Sequence, residues 1–375
     1  MDIDAVLTAL SESGNLRVIP EAQDNHHVDL SSNDYLGLAM RKDLRESFFN
    51  TIDTSEVLMS ASASRLLASC QDAFSRLEAT VAGAYGHGRD ALIFNSGYHA
   101  NSGIIPALCD KKTYIIADRL VHASIIDGIR LGGASFTRFR HNDYGHLRKL
   151  TADAVEKGFN PLIIAESVYS MDGDRADIGA LADVKRLFPE STLYVDEAHA
   201  VGVEGPRGLG LCEASGRIDE IDVIVGTFGK ALASTGAFAL VSPGMKQYLV
   251  NRCRSLIFST AIPPLNVLWT NFIFEKSLAM DMERDRLHSL ENRLHEILSQ
   301  FSSVPEISHI QPLMIGNPLD TVALSGKLRD EGFNVLPIRT PTVPPGTDRL
   351  RFSLSADISP DDLDRLESAL LKIMK

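Results

Sequence analysis

Short apolar runs alternate with longer amphipathic stretches from residue 90 onward. The runs are Ala91-Leu-Ile-Phe94, Thr113 to Asp118, Ala134 to Phe139, Pro161 to Ser167, Thr192 to Asp196, Val223 to Val225 and Ala237 to Val241. Runs this short, rich in β-branched residues and separated by helical patterns, predict an α/β domain with a mostly parallel sheet flanked by helices. The last of them is a candidate for antiparallel pairing. Upstream, the pattern predicts helices over 2–12, 41–51 and 72–85, an irregular polar stretch to His27 and a short strand from Val28. Downstream, a long amphipathic stretch from Leu265 to Phe301 reads as a linking helix. After it come a strand (307–315), a helix (321–331), a proline-rich loop (337–345) and a strand (350–354). Ser359-Pro-Asp-Asp362 announces a last helix, with a serine cap, proline at the first position and acids in the first turn. The expected organisation is an N-terminal segment 1–40, a large domain 41–264 and a smaller C-terminal α+β domain 265–375.

One stretch stands out. The run Val223 to Val225 is expected to break at Gly226, and Lys230 then stands before the small residues Ala231 to Gly236. If Ala231 onward is helical, the ammonium faces the positive end of a helix dipole, an odd place for a cation. A solvated loop lysine is the plain alternative. The other is an amine kept to form a Schiff base with a carbonyl cofactor.

Composition narrows the classes. A formal net charge of −12 over 375 residues argues against nucleic acid and anionic membrane as partners. Cys70, Cys109, Cys212 and Cys253 lie far apart with no CxxC, so neither a disulfide framework nor a zinc site is expected. There is no basic n-region with an apolar core behind it, and no apolar run approaches the roughly 20 residues that span a bilayer. A cytoplasmic protein is the expectation.

In open α/β sheets, ligands bind beyond the carboxyl ends of the strands. Those ends carry Ser96-Gly97-Tyr98, His122, Ser167, Asp196 with His199, and Thr227 with Lys230. The set suits pyridoxal 5'-phosphate. Lys230 offers the imine nitrogen, and Asp196 an acid for the pyridine nitrogen. His199 offers a donor to the phenolic oxygen, and His122 a ring to cover the face. The start of a helix at Gly97 and Tyr98, with the Thr227 hydroxyl, offers a phosphate site. Asp196-Glu-Ala-His199 also spells a helicase box, but that reading needs a G-x-x-x-x-G-K-[ST] loop upstream. The nearest candidate, Gly226-Thr-Phe-Gly-Lys-Ala231, is too short and lies downstream. No G-x-G-x-x-G follows an early strand, and His141 and His146 lack the spacing of a metal pair.

The chain resembles the α-oxoamine synthases, fold-type I enzymes dependent on pyridoxal phosphate. The motifs are Ser-Asn-Asp-Tyr-Leu-Gly (32–37), Asn-Ser-Gly-Tyr-His-Ala-Asn (95–101), Asp-Arg-Leu-Val-His-Ala-Ser (118–124) and Glu-Ser-Val-Tyr-Ser-Met-Asp-Gly-Asp (166–174). Further along are Val-Asp-Glu-Ala-His-Ala-Val-Gly (195–202), Gly-Thr-Phe-Gly-Lys-Ala (226–231) and Phe-Ser-Thr-Ala-Ile-Pro-Pro (258–264). The resemblance implies Lys230 as the Schiff-base lysine and proton shuttle, with Asp196, His199 and His122 as its catalytic companions. Ser96, Gly97, Tyr98, Ser167 and Thr227 would hold the cofactor. It implies a homodimer with shared sites, in which Thr260 reaches the partner's phosphate. Arg351 resembles the residue that grips the substrate carboxylate, assisted by Asn33, and Thr342 is a further candidate substrate contact. The segment 339–351 points to the branch that joins L-alanine to a pimeloyl thioester; glycine C-acetyltransferase and serine palmitoyltransferase types are the alternatives. Two departures from the family pattern are Ser60-Ala-Ser-Ala-Ser-Arg65, where a glycine-rich loop is usual, and a short N-terminus.

Overall fold

The computed structural model describes residues 1–19 and 27–374, so part of the polar stretch read up to His27 lies outside the described residues. The chain folds as two compact units. The larger holds Gly37–Tyr169 and Arg175–Asp281; the smaller holds Met1–Leu36, Ser170–Asp174 and Met282–Lys375.

Seven strands form the sheet of the larger unit: β1 (Asp90–Phe94), β2 (Thr113–Asp118), β3 (Ser135–Phe139), β4 (Asn160–Glu166), β5 (Thr192–Asp196), β6 (Val223–Thr227) and β7 (Ala237–Val241). They lie side by side in the order β1-β7-β6-β5-β4-β2-β3. Only β7 runs against its neighbours, pairing antiparallel with both β6 and β1. Strands buried on both faces can be apolar throughout, and β5, β6 and β7 are accordingly almost wholly buried. Ile104, Ile125, Ile164, Val225 and Ala239 belong to the apolar core on one side. At the sheet edge, β3 keeps most of its side chains exposed, which protects an unpaired edge from association.

The expected break at Gly226 does not occur: β6 runs on through Gly226 to Thr227. Glycine is there because a Cβ would stand 2.3 Å from Cζ of Phe238 on the neighbouring strand. Nor does a helix follow Lys230. Residues 228–236 form a closed loop between two antiparallel strands, in which Phe228 N donates to Gly236 O (3.0 Å) and Ser234 N to Phe228 O (2.9 Å).

The long linking helix is also two helices, Pro264–Ser277 and Asp281–Leu298. The first ends in tight bonds, Ala279 N to Lys276 O and Met280 N to Ser277 O, each 3.2 Å. Three-residue spacing of this kind closes a helix rather than extending it.

In the smaller unit, β8 (Ile310–Met314), β9 (Leu336–Ile338) and β10 (Arg349–Ser353) form an antiparallel sheet in the order β9-β10-β8. Leu30 O accepts from Ser353 N (2.8 Å) and Tyr35 O from Ala356 N (2.9 Å), so the N-terminal segment is laced along β10. The last helix, Pro360–Met374, starts at a reciprocal cap: Ser359 Oγ accepts from Asp362 N (3.2 Å), and Asp362 Oδ2 accepts from Ser359 N (3.1 Å). Among the described residues, no helix is long and apolar enough to cross a membrane.

Candidate active site

Lys230 lies half-buried on the loop after β6. The loop is tied from several sides. Thr227 Oγ1 donates to Gly236 O (3.0 Å), Ala233 N to Lys230 O (2.8 Å) and Trp269 Nε1 to Ala233 O (3.2 Å). Gly236 has φ +96°, and a Cβ there would meet Ile262 Cδ1 at 2.7 Å, so both conformation and space demand glycine. The Lys230 Nζ is 2.7 Å from His199 Nε2. The amine is thus paired with a buried imidazole, and not with a helix dipole as the sequence suggested.

Asp196 closes β5 and is buried. Its Oδ1 accepts from Ala198 N (2.8 Å) and its Oδ2 from Asn101 Nδ2 (2.7 Å), so both oxygens are held by N–H donors. Glu166, at the end of the adjacent β4, accepts from His122 N. Burial, reinforced by the Asp196 charge, pushes the Glu166 carboxyl well above the usual range, which favours its neutral form beside Asp196. The His122 ring is exposed, and its Nδ1 lies 2.8 Å from Ser124 Oγ.

Ser96 caps the helix Gly97–Ala107, its Oγ accepting from His99 N (3.2 Å). Gly97 and Tyr98 are therefore the first two helical residues, where backbone N–H groups have no partner within the helix. Tyr98 is exposed, and its hydroxyl donates to Asp127 (2.6 Å). Ser167 is fully buried just past β4, with its N bonded to Asp196 O (2.9 Å). Thr260 is exposed and forms an antiparallel bridge with Ser64. The serine- and alanine-rich loop that carries Ser64 is anchored: Arg65 pairs with Glu78 (3.1 Å) and stacks over Phe74 (4.4 Å).

The smaller unit builds its own cluster. Arg351, on β10, is buried, with Nε donating to Ser170 O (2.6 Å), Nη1 to Ser353 Oγ (3.0 Å) and Nη2 to Asn33 Oδ1 (3.2 Å). Tyr35, fully buried, donates its hydroxyl to the same Asn33 oxygen (3.0 Å). Gly173 lets the Ser170–Asp174 segment approach: its φ is +72°, and a Cβ would stand 1.9 Å from Ile310 O. Thr342 is exposed and accepts from Arg17 (2.7 Å).

Three buried acids and amides had no role in the sequence reading: Glu166, Asn101 and Glu197. Each sits inside a motif quoted above, but only the fold shows what it faces. Glu197 has Oε1 bonded to Leu211 N (2.8 Å) and Cys212 N (3.1 Å). Burial raises its pKa from 4.5 to about 7, with the Cys212, Ser167 and Leu211 donors limiting the rise. Because the neutral form is favoured in the fold, the stability it allows is full in acid and falls as pH climbs from 4.5 to 7. The expected loss is about 3 kcal/mol. Glu197→Gln should flatten that slope, measured as urea midpoints at pH 5 and pH 8. An unchanged slope would show that another group titrates there.

The sequence profile of the aminotransferase class I and II family matches residues 25–370. The chain is 46% identical over 355 residues to a putative 8-amino-7-oxononanoate synthase of Pasteurella multocida, covering 94% of this chain and 92% of that one. It is 47% identical over 348 residues to the 8-amino-7-oxononanoate synthase of Chlorobaculum parvum, covering 92% and 88%. A serine palmitoyltransferase of S. paucimobilis, solved with a bound PLP–myriocin aldimine, superposes with a TM-score of 0.88 at 29% identity, over 99% and 97% of the two chains. The 8-amino-7-oxononanoate synthase of Francisella tularensis superposes at 0.75 and 26% identity, over 93% and 97%. The chain belongs to the aminotransferase class I and II family and, within it, to the α-oxoamine synthases.

Proposed function

We propose that this chain condenses L-alanine with a pimeloyl thioester, giving 8-amino-7-oxononanoate, CO₂ and the free thiol carrier, a step of biotin biosynthesis that uses pyridoxal 5'-phosphate. The observation that carries the reading is the Lys230 Nζ held 2.7 Å from His199 on the same strand-end rim as Asp196. Relatives at 46 and 47% identity bear that synthase's name. A second reading, condensation of serine with a long acyl chain, is favoured by the 0.88 superposition on serine palmitoyltransferase, but identity there is only 29%.

The residues fit the cofactor. The rim offers a primary amine, a buried carboxylate gripped by N–H donors and a helix start for a phosphate. At Gly97 a Cβ would stand 4.0 Å from Thr227 Cβ, so bare backbone keeps the space between them open. Pyridoxal phosphate, when bound, supplies an aldehyde that captures amines and a ring that takes up an electron pair released at the amino-acid α-carbon.

The chain's own residues do the rest. Lys230 anchors the cofactor and, once freed, removes the α-proton and later returns it. Asp196 would meet the ring nitrogen and keep it protonated. With the cofactor bound, His199 would donate to the phenolic oxygen, His122 would cover the ring, and Ser96, Gly97, Tyr98, Ser167 and Thr227 would hold ring and phosphate. Arg351 binds the carboxylate of alanine, with Asn33 and Thr342 assisting on the substrate side. A guanidinium suits this, since its planar fork meets two oxygens at once. Arg351→Lys should raise the alanine KM roughly 10- to 100-fold with a smaller change in kcat. An unchanged KM would remove Arg351 from the substrate site. The active unit is a cytoplasmic homodimer in which Thr260, exposed here, completes the partner's phosphate site.

The test is direct. The protein with pyridoxal phosphate is given L-alanine with pimeloyl-coenzyme A, glycine with acetyl-coenzyme A, or L-serine with palmitoyl-coenzyme A, and products are read by mass spectrometry. Product from the first pair alone supports the proposal; product from another pair alone replaces the substrates.

A further inference from the structure

Behind the catalytic rim of the larger unit, four buried or capped side chains form a hydrogen-bond chain whose direction is fixed by chemistry. Tyr194, at 0% exposure, places its hydroxyl 2.5 Å from Asn101 Oδ1, and Asn101 is itself 1% exposed. An amide oxygen can only accept, so the phenol donates. Burial also pushes the Tyr194 hydroxyl well above its usual pKa, keeping the proton in place.

With its oxygen occupied, Asn101 must turn its amide nitrogen the other way. That nitrogen spends its two hydrogens on Asp196 Oδ2 (2.7 Å) and on Ser124 Oγ (2.9 Å). Ser124 is 1% exposed; having accepted from Asn101, it has its own proton left to give, and His122 Nδ1 lies 2.8 Å away. The same Nδ1 also accepts from the backbone N–H of Ser124 (3.2 Å), which has no other role than donor. Two donors therefore point at one ring nitrogen, which cannot carry a proton of its own. In the neutral ring the proton must sit on Nε2.

We propose that Tyr194, Asn101 and Ser124 are positioning residues. Their one-way chain holds Asp196 as an acceptor and His122 as its Nε2–H tautomer, so that His122 presents a donor at the site. The inference rests on the proposed function for what that donor meets: the oxygen of the acyl carbonyl, where negative charge develops during attack. Its structural half stands without it.

The experiment reads that half first. In protein labelled with ¹⁵N-histidine and loaded with pyridoxal phosphate, the His122 resonances are assigned by their loss in His122→Gln. At neutral pH, Nδ1 is expected at the shift of an unprotonated acceptor and Nε2 at that of an N–H. A protonated Nδ1 overturns the proposal whatever the enzyme's substrates prove to be. Ser124→Ala removes one of the two donors and leaves Asn101 on Asp196. It should shift the His122 ring resonances and lower kcat roughly tenfold, with the alanine KM and the visible cofactor spectrum unchanged. Tyr194→Phe, which frees the Asn101 amide, should alter both the cofactor spectrum and the His122 shifts. If Ser124→Ala and Tyr194→Phe change only thermal stability, the residues are structural and the proposal fails. Wild-type resonances as expected, without turnover of any substrate pair, would instead count against the function alone.

Discussion

Lys230→Ala is expected to abolish covalent attachment of the cofactor and to lower turnover by roughly ten-thousandfold or more, since one residue serves as both nucleophile and proton carrier. The loss should not come from misfolding. Lys230 is half-buried, and the loop's shape depends on backbone bonds and on Thr227, Trp269 and Gly236 rather than on the amine. The side-chain contacts removed include the 2.7 Å pair with His199. Borohydride reduction followed by peptide mass spectrometry checks the point. Wild type should carry the cofactor mass on Lys230, and the variant should carry none. Cofactor still fixed to the variant would place the attachment site elsewhere.

Asp196→Asn should separate binding from chemistry. The substitution keeps size and leaves one acceptor oxygen for the two donors, Ala198 N and Asn101 Nδ2, that Asp196 satisfies with two. The variant should still bind pyridoxal phosphate, held by Lys230 and the helix start at Gly97. It should fail at removing the α-proton, because a neutral amide cannot keep the ring nitrogen protonated. A loss of about a thousandfold is expected from removing a charge-assisted bond at an electron sink in a low-dielectric site. The readout is exchange of the alanine α-hydrogen in D₂O, followed by NMR, which needs no acyl donor. Wild-type exchange in the variant would sink the argument that Asp196 makes the ring an electron sink. The same change also removes the charge that helps raise Glu166, so Glu166 should titrate lower in the variant.

The large-unit strands were legible because their residues are apolar on both faces. Thr113–Asp118, Thr192–Asp196 and Ala237–Val241 fall where the apolar runs do, and the antiparallel candidate does pair that way. Of the residues placed at strand ends from sequence, Asp196 and Thr227 close their strands and Ser96, His122, Ser167, His199 and Lys230 lie one to four residues past one, since a polar group after a buried run marks where the chain reaches the rim. What misled was local. Gly226 looked like a strand breaker because a single chain cannot show Phe238 lying across it. The small residues after Lys230 looked helical by propensity, whereas an antiparallel neighbour at β7 forces a short closed loop. Asn101, Glu166 and Glu197 were invisible for another reason. Their partners lie 95, 44 and 14 residues away in the chain, on different strands and loops. The Arg351 cluster was only half legible: the sequence places the arginine and Asn33 at the substrate, but that Tyr35 donates to the same Asn33 oxygen as Arg351 is visible only in the fold.

The central claim is that one site takes carbon dioxide from alanine and joins the remainder to an acyl group. L-alanine labelled with ¹³C at the carboxyl carbon, incubated with the enzyme, pyridoxal phosphate and pimeloyl-coenzyme A, tests it. The account predicts labelled CO₂ released in equal amount to unlabelled 8-amino-7-oxononanoate. Labelled pyruvate with pyridoxamine phosphate, and no labelled CO₂, would contradict it and make the chain an aminotransferase.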